Sequence, residues 1–288
     1  MMRSRSPWTA WLLVAPATIG VVAFILLPVL VAFGLSLTNW QLVGGGGFVG
    51  LENYRALLTG GALLNSLVVT ALFTLMSVPV AMALGLLLAM QLNRALPGAG
   101  VFRVIVVIPW VCAPLAIGVV FSWIYQPSYG ALNAILGRRV EWLTDPSLAL
   151  PSVAFVAIWQ AAGYIALFYQ AGLQKIPSSI YEAAELDGAG PLRRLWSITL
   201  PLLRPTTFFV ALTQIVASFQ VFDTVYALTG GGPGRRTEVI ASLIYSEAFT
   251  SYRMGRASAI AVILFVILAL VAIVQQRYFS SRITYDMS

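Results

Sequence analysis

Six long apolar segments recur along the 288-residue chain and constrain its fold more than any other feature. Each approaches or exceeds about 20 residues, the length that an α-helix needs to cross a bilayer. The segments cover residues 11–37, 62–90, 104–125, 150–172, 206–228 and 257–275. Only 9% of the residues are charged, whereas soluble domains carry about 25%. The pattern predicts an all-α integral membrane protein with six transmembrane helices, in which residues 1–288 form a single domain.

The residue types argue against several kinds of site. The chain has no histidine and one cysteine, Cys112, which leaves too few ligands for ordinary zinc, haem or disulfide sites. The chain offers no nucleophile–base pair for catalysis. The glycine-rich segment 230–234 contains no lysine of the kind that a phosphate-binding loop needs. The net charge of +7 comes mostly from arginines near the membrane edges, which suits anionic lipid headgroups rather than nucleic acid. We therefore expect membrane lipid as a partner, but no catalytic residue, bound metal, cofactor or nucleic acid.

The longest polar segment between apolar spans covers residues 177–205. Its pattern predicts two short helices folded about Gly188. Ser179 and Glu182 have the spacing of a capping box at the start of the first helix, and Gly188 suits the left-handed conformation in which that helix ends. Pro191 should open the second helix, because proline at a first helical position loses no needed hydrogen bond. Such a compact helix–glycine–helix unit is a shape that another protein can bind.

Several groups in this segment resemble the EAA loop of bacterial ABC importer permeases. They are Glu182-Ala183-Ala184, Asp187-Gly188-Ala189 and Ile198-x-Leu200-Pro201. Leu195, also assigned to the coupling contact, departs from the pattern, because many family members have phenylalanine there. The resemblance implies that residues 177–205 form a cytoplasmic coupling loop that docks into a cleft on an ATPase subunit. The residues alone leave open an amphipathic surface hairpin with no partner.

Two further strings narrow the resemblance to carbohydrate-uptake systems. FVGLENY, residues 48–54, resembles a segment after the first span of sugar-type permeases, although an interfacial helix also fits it. FDTVYALTGGGP, residues 222–233, resembles a signature of the first permease in maltose-, glycerol-3-phosphate- and trehalose-type importers. The resemblance covers nearly the whole chain and implies a type I ABC importer permease fold. It also implies three kinds of partner: a second related permease, two ATPase subunits that hold ATP and magnesium, and an extracytoplasmic solute-binding protein.

Polar side chains inside the fourth and fifth spans predict a substrate pathway. Gln160 and Tyr164 are four residues apart and share one helical face, as do Gln214 and Ser218. In maltose-type relatives the helices beside the EAA loop hold the sugar, and the resemblance places these four residues at the sugar-contacting positions. Amides, hydroxyls and an aromatic face suit a neutral polyol. Hydrogen bonding between helices is the alternative role for these side chains.

Asp223 is the only acidic residue well inside an expected span. By helical phase it pairs with Gln220 and faces away from Gln214 and Ser218. We assign Gln220, Asp223 and Tyr226 to a gate or to an interface with the partner permease. For Asp223, the outer mouth and a proton relay also stay open. The glycines that follow should form an exposed outer loop, which in the resembled family lies where the binding protein docks; a flexible turn is the alternative.

Positive charge predicts the orientation of the chain, because lysine and arginine favour cytoplasmic segments. With the N-terminus inside, inner segments hold ten of these residues and outer segments hold seven. The resemblance requires the same orientation, since it makes the 177–205 loop cytoplasmic. We expect a multi-pass protein of the bacterial cytoplasmic membrane with both termini in the cytoplasm.

These observations together predict the permease subunit of an ATP-driven, binding-protein-dependent sugar importer that works by alternating access. A related importer for glycerophosphate-like or amino-sugar solutes is one alternative, although no arginine lies mid-span to meet an anion. A secondary transporter coupled to an ion gradient at Asp223 is another, but it leaves the EAA-like loop unexplained. A membrane enzyme is disfavoured by the missing catalytic groups.

Overall fold

The computed structural model describes residues 7–93 and 98–280, which fold into α-helices with three short π-helical turns. Contacts divide the described chain into two compact units. The first unit contains residues 7–63 and 243–266, and the second contains residues 64–93, 98–242 and 267–280. Four of the basic residues counted for orientation, Arg3, Arg5, Arg94 and Arg282, lie outside the described residues.

The described part of the chain contains fifteen α-helices. The first eight are α1 (Pro7–Val21), α2 (Leu27–Ser36), α3 (Glu52–Thr59), α4 (Ala62–Leu92), α5 (Ala99–Val111), α6 (Pro114–Ile124), α7 (Ala131–Leu136) and α8 (Ala149–Leu173). The next seven are α9 (Ser178–Leu186), α10 (Pro191–Arg194), α11 (Leu200–Leu202), α12 (Arg204–Phe219), α13 (Asp223–Leu228), α14 (Ile240–Tyr245) and α15 (Met254–Ser280). The π-helical turns are Val22–Leu26, Leu195–Thr199 and Ser246–Thr250.

Four helical segments are long and apolar enough to cross a membrane. They are Trp11–Ser36, Ala62–Leu92, Ala149–Leu173 and Met254–Arg277. Two bent pairs also qualify if each counts as one span: Gly100–Val111 with Pro114–Ile124, bent by 94°, and Pro191–Leu202 with Arg204–Phe219, bent by 71°. The predicted all-α membrane fold is therefore confirmed, with four to six candidate spans among the residues described.

The bend in the third expected span, residues 104–125, lies between α5 and α6. Pro109 continues inside α5, whereas the backbone at Cys112 and Ala113 leaves the helix and Pro114 starts α6. A residue before proline is pushed towards an extended conformation, and proline at a first helical position loses no hydrogen bond. Ala113-Pro114 therefore ends one helix and starts the next.

The fifth expected span, residues 206–228, is not one continuous helix. α12 ends at Phe219 and α13 starts at Asp223. The amide of Gln220 donates to the carbonyls of Val216 and Ala217, at 3.2 Å each, which tightens the last turn of α12. A carboxylate in the first turn of a helix is favourable, so Asp223 suits the start of α13. The prediction of a continuous helix is therefore wrong. Neither proline nor glycine marks this break, so no local sequence signal indicates it.

Helix α8 is the most deeply buried of the long helices and organises the second unit. It packs against α5, α12 and α13. One buried apolar cluster includes Val153 and Val225, and the other includes Ile165 and Leu203. The two clusters lie along the two halves of α8, so this helix holds the elements that surround the cavity described below.

The contact between α5 and α8 depends on Gly163, and substitution there should be costly. A Cβ built on Gly163 would overlap the carbonyl oxygen of Val106. We expect Gly163→Ala to lower the stability of the protein by about 1–3 kcal/mol, since overpacking a dense contact forces the backbone to shift. Thermal unfolding in detergent measures the change.

Gly100→Ala is the matched control for that substitution. Gly100 lies in α5, and a Cβ there would meet nothing within 4 Å. Gly163→Ala gains up to about 1 kcal/mol of helical propensity, and Gly100→Ala, in the first turn of α5, gains no more than that, so a lower melting temperature for Gly163→Ala reports the clash. Equal melting temperatures for the two variants would contradict the close packing at Gly163.

In the first unit, α3 ties the segment after α2 back onto that helix. The Asn53 amide donates to the carbonyl oxygens of Ser36 and Thr38, at 2.8 and 2.7 Å. The Tyr54 hydroxyl donates to Ser36 Oγ at 2.7 Å. The polar residues of FVGLENY thus pin the chain at the end of α2, and the short helix expected there is α3, which begins at Glu52.

Candidate functional site

The helix–glycine–helix segment is formed by α9, α10 and the turns that follow them. Gly188 has φ +72°, and the amide of Ala189 donates to the carbonyl of Ala184 at 2.8 Å. This pattern closes the C-terminus of α9 in the way that a left-handed glycine permits. Pro191 occupies the start of α10, with Gly190 before it. The glycine hinge thus lies where the sequence predicts it.

The capping box expected at Ser179 and Glu182 is absent. α9 starts at Ser178, the residue before the helix is Pro177, and no side chain caps this end. Pro177 is extended, and its carbonyl accepts from the Ile180 amide at 3.2 Å, so the helix begins two residues earlier than the pattern suggests. Ser179 lies inside the helix, where its hydroxyl is not in the capping position.

Side chains join the two arms of this segment. Arg194 Nη1 lies 3.3 Å from Glu185 Oε2, and the Tyr181 and Thr199 hydroxyls are 3.1 Å apart. Of the predicted coupling residues, Ala184 is buried; Leu195, Leu200, Pro201 and Ala189 are half-buried; and Glu182, Ala183, Asp187 and Gly188 are exposed.

Large apolar side chains on this segment point away from the chain. Leu186 is 90% exposed, Leu192 70% and Trp196 66%. The Gly188 turn and the side-chain contacts between the two arms hold this segment in one conformation. Its exposed apolar side chains therefore form a surface suited to contact with another protein.

The segment continues directly into two helices that line a cavity of about 390 Å³ in the second unit. α8 precedes it and α12 follows it. The polar and aromatic lining residues are Phe73, Ser77, Trp110, Gln160, Gln214, Ser218, Gln220, Phe222, Asp223 and Thr224. Asp223 is the only charged residue among the lining side chains that the structure describes. A movement of the exposed segment would therefore act on both walls of the cavity.

The structure brings three of the four predicted pathway residues to this cavity. Gln160, Gln214 and Ser218 line it. Gln160 Nε2 donates to the Cys112 carbonyl at 3.3 Å, at the break between α5 and α6. Ser218 is 7% exposed, and its hydroxyl lies 2.9 Å from that of Thr74. Ser218 thus bonds between helices as well as facing the cavity, whereas Gln214 has its amide available.

Tyr164 does not line the cavity itself. Its ring stacks on that of Trp110, with centroids 4.4 Å apart and an angle of 14° between the planes. Trp110 does line the cavity, so Tyr164 orients the aromatic wall from behind. The sequence reasoning missed Trp110, although an aromatic residue directly after a proline within an expected span is a signal that could have identified it.

Asp223 lies in the same cavity as Gln214 and Ser218. The expectation that it faces elsewhere is wrong, because it assumed one continuous helix, and the break between α12 and α13 resets the phase. Gln220 also lines the cavity, whereas Tyr226 is 49% exposed and stacks on Phe222 with ring centroids 5.2 Å apart. No group of three or more candidate metal ligands is found within residues 7–93 and 98–280.

Comparison with known proteins agrees with this arrangement. A family model described as "Binding-protein-dependent transport system inner membrane component" matches residues 61–285. The chain is 38% identical over 280 residues to the sn-glycerol-3-phosphate transport system permease protein UgpA of Agrobacterium fabrum, with 96% of each chain covered. It is 36% identical over 274 residues to the trehalose/maltose transport system permease protein MalF of Thermococcus litoralis, with 92% of each covered.

A solved structure shows a similar fold. It is the crystal structure of a bacterial ABC transporter involved in the import of the acidic polysaccharide alginate, with a TM-score of 0.83, 22% sequence identity and 96% of each chain covered. The family match and the relatives extend over most of the chain and include the helix–glycine–helix segment. The chain therefore belongs to the inner membrane component family of binding-protein-dependent transport systems, and it is a permease subunit of an ABC importer.

Proposed function

We propose that this permease carries a neutral carbohydrate through the cavity of the second unit by alternating access. The proposal rests on the chemistry of the cavity lining. Amide groups of Gln160, Gln214 and Gln220 offer donors and acceptors, Trp110 offers a ring face, and Asp223 offers a strong acceptor. Hydroxyl groups of a sugar match such a lining, and its apolar ring face matches the tryptophan.

The names of the relatives indicate two solute classes, glycerol 3-phosphate and trehalose or maltose. A phosphate would enter a cavity that has one carboxylate and no lysine or arginine in its lining. Anions in proteins are usually met by cationic or charge-assisted donors. The lining therefore favours the neutral class, and glycerol 3-phosphate is the second candidate because the relative that carries its name is 38% identical.

We propose that the whole chain acts as one permease domain with a second related permease, two ATPase subunits and an extracytoplasmic solute-binding protein. ATP and magnesium belong to the ATPase subunits, and this chain has no catalytic role of its own. The exposed surface around Gly188, with Leu186, Leu192 and Trp196, supports an ATPase contact. That contact makes the segment cytoplasmic and gives the chain cytoplasmic termini, in agreement with the distribution of arginines.

Reconstitution of the complete importer in proteoliposomes tests the proposal. We expect ATP-dependent uptake of a neutral disaccharide, with trehalose and maltose as the probes, and no uptake of glycerol 3-phosphate. Uptake of glycerol 3-phosphate alone would replace the neutral class with the phosphate class. Uptake of either solute without ATPase subunits would instead favour the ion-coupled alternative.

Asp223 should contribute to the affinity of the cavity for the solute. We expect Asp223→Asn to weaken the apparent affinity for the transported disaccharide by about tenfold, because a hydrogen bond to a charged group contributes about 1.5–3 kcal/mol. Gln220→Glu is the reciprocal variant, since it adds a second carboxylate to the same wall. The concentration dependence of uptake gives the half-saturation concentration of each variant. An unchanged value in Asp223→Asn would exclude a solute contact there.

A further inference from the structure

A second cavity, of about 260 Å³, lies in the first unit and has no part in the transport proposal. It lies between the segment that follows α2, the start of α3 and the start of α15. Its polar and aromatic lining includes Asn39, Trp40, Glu52, Asn53, Arg253 and Arg256. We call this cavity the arginine pocket.

Backbone contacts fix the turn that carries the two arginines. Tyr252 has φ +58°, an uncommon left-handed conformation for a non-glycine residue. Its carbonyl accepts from the Leu42 amide at 3.0 Å, and the next amide, of Arg253, donates to the Glu247 carbonyl at 2.8 Å. A strained residue persists where its surroundings over-determine it, and such residues concentrate at functional sites.

The two guanidinium groups present unused donors to the pocket. The Nε atoms of Arg253 and Arg256 lie 3.3 and 3.8 Å from Glu247 Oε2. The side chains are 48% and 23% exposed, and no hydrogen bond from either guanidinium is found in the described part of the chain. Each group thus keeps N–H donors in the planar fork that binds phosphate or carboxylate oxygens.

The wall formed by α3 offers acceptors instead. Glu52 lines it with a carboxylate, and Asn53 uses its amide nitrogen on Ser36 and Thr38, which leaves its Oδ1 as an acceptor. Glu52 and Glu247 balance the two arginines in charge. A dianion such as free phosphate finds no excess of positive charge there. A ligand with one negative and one positive group, and no net charge, fits both walls.

The surroundings of the pocket suit the membrane–water boundary. The apolar helix α2 ends at Ser36 and the apolar helix α15 starts at Met254, so we expect the pocket to lie at the level where these two helices leave the hydrocarbon. Exposed apolar residues flank it: Val43 is 75% exposed, Phe48 78% and Leu51 70%. Tryptophan and arginine at this level are typical of contact with lipid headgroups.

We propose that the arginine pocket binds the headgroup of a zwitterionic phospholipid that has a primary ammonium. The phosphodiester accepts hydrogen bonds from Arg253 and Arg256, and the ammonium donates to Glu52 and to Asn53 Oδ1. Phosphatidylethanolamine has this chemistry. Phosphatidylcholine keeps the phosphate but has no N–H donor, and phosphatidylglycerol has no cation.

The test measures lipid retained by the purified importer complex after exchange into mixed micelles that contain the three phospholipids in equal amounts. Native mass spectrometry counts each bound lipid. Glu52→Gln removes the ammonium acceptor, and Arg253→Gln removes an exposed phosphate donor without disturbing the more buried Arg256. Arg138→Gln, an exposed arginine on a loop of the second unit, is the matched control. Soluble glycerophosphoethanolamine, added as a competitor, distinguishes a lipid from a free headgroup.

We expect the wild type and Arg138→Gln to retain phosphatidylethanolamine in preference to the other two lipids. Arg253→Gln should reduce its retention by about tenfold, the effect of a lost charge-assisted hydrogen bond. Glu52→Gln should remove the preference over phosphatidylcholine while phosphate-dependent binding remains. Equal retention by Arg253→Gln and Arg138→Gln would overturn the site. Full displacement by the soluble headgroup at the concentration of the lipid would overturn the lipid as its ligand.

Discussion

Replacement of Gly188 by tryptophan should abolish both solute uptake and the ATPase activity that loaded binding protein stimulates. Gly188 has φ +72°, and an L-residue in that conformation costs about 1–2 kcal/mol. A Cβ built there meets nothing within 4 Å among the described residues, so the permease itself leaves space at this position. If the surface around Gly188 docks on the ATPase as proposed, the added ring would project into the space of that partner. Uptake into proteoliposomes and phosphate release measure the two losses.

Gly137→Trp separates backbone strain from the loss of the partner contact. Gly137 has φ +63°, follows a short helix, α7, and also has nothing within 4 Å of a built Cβ. It lies on the connection before α8, whereas Gly188 lies after that helix, so the two glycines are at opposite ends of a span. We expect Gly137→Trp to keep most of the uptake. Equal losses in both variants would mean that strain, and not the ATPase contact, explains the effect.

Replacement of Ala217 by tryptophan should abolish uptake while ATP hydrolysis continues. Ala217 is an exposed residue of α12 that lines the cavity of the second unit. A tryptophan ring at this position occupies the cavity of about 390 Å³ without entering a packed core. We expect uptake to fall to background and stimulated hydrolysis to keep at least half of its rate, because the surface around Gly188 is unchanged.

Ala134→Trp is the control for the size of the new side chain. Ala134 is exposed on α7 and does not line the cavity. Uptake by this variant should match the wild type. If Ala217→Trp lost hydrolysis together with uptake, the cavity and the coupling segment could not be separated, and the solute-blocking explanation would be wrong.

The sequence is sufficient for the features that local chemistry determines. The length of the apolar runs predicts the membrane fold, since a bilayer sets the length of a spanning helix. The positions of Gly188 and Pro191 predict the hinge and the start of α10, because each residue type suits one backbone conformation. The same reasoning predicts breaks of the third span at Pro109 and Pro114. The break occurs at Pro114, with a bend of 94° that the sequence does not predict, whereas Pro109 stays inside α5.

The features that depend on packing could not be predicted from the sequence. The break after Phe219 contains neither proline nor glycine, so the helical phase placed Asp223 on the wrong side. The start of α9 at Ser178 follows from the backbone of Pro177 and not from the capping pattern at Ser179. Trp110 joins the cavity through a stacking contact with Tyr164, a residue 54 positions further on. A local signal, an aromatic residue after a proline, could identify Trp110, but its contact with so distant a residue leaves no local pattern.

The two interruptions of helix, at Cys112–Ala113 and at Gln220–Phe222, have a consequence for hydration. Both border the same cavity, since Pro114, Gln220 and Phe222 line it and the Cys112 carbonyl accepts from Gln160. Irregular backbone at membrane depth is tolerated only where it is enclosed in protein or lines water. Because its lining is polar, we expect the cavity to hold water before a solute arrives. Under the proposed function, a sugar that entered would exchange this water for its own hydroxyls at nearly equal enthalpy, so we expect the pathway to hold its cargo weakly and to release it quickly.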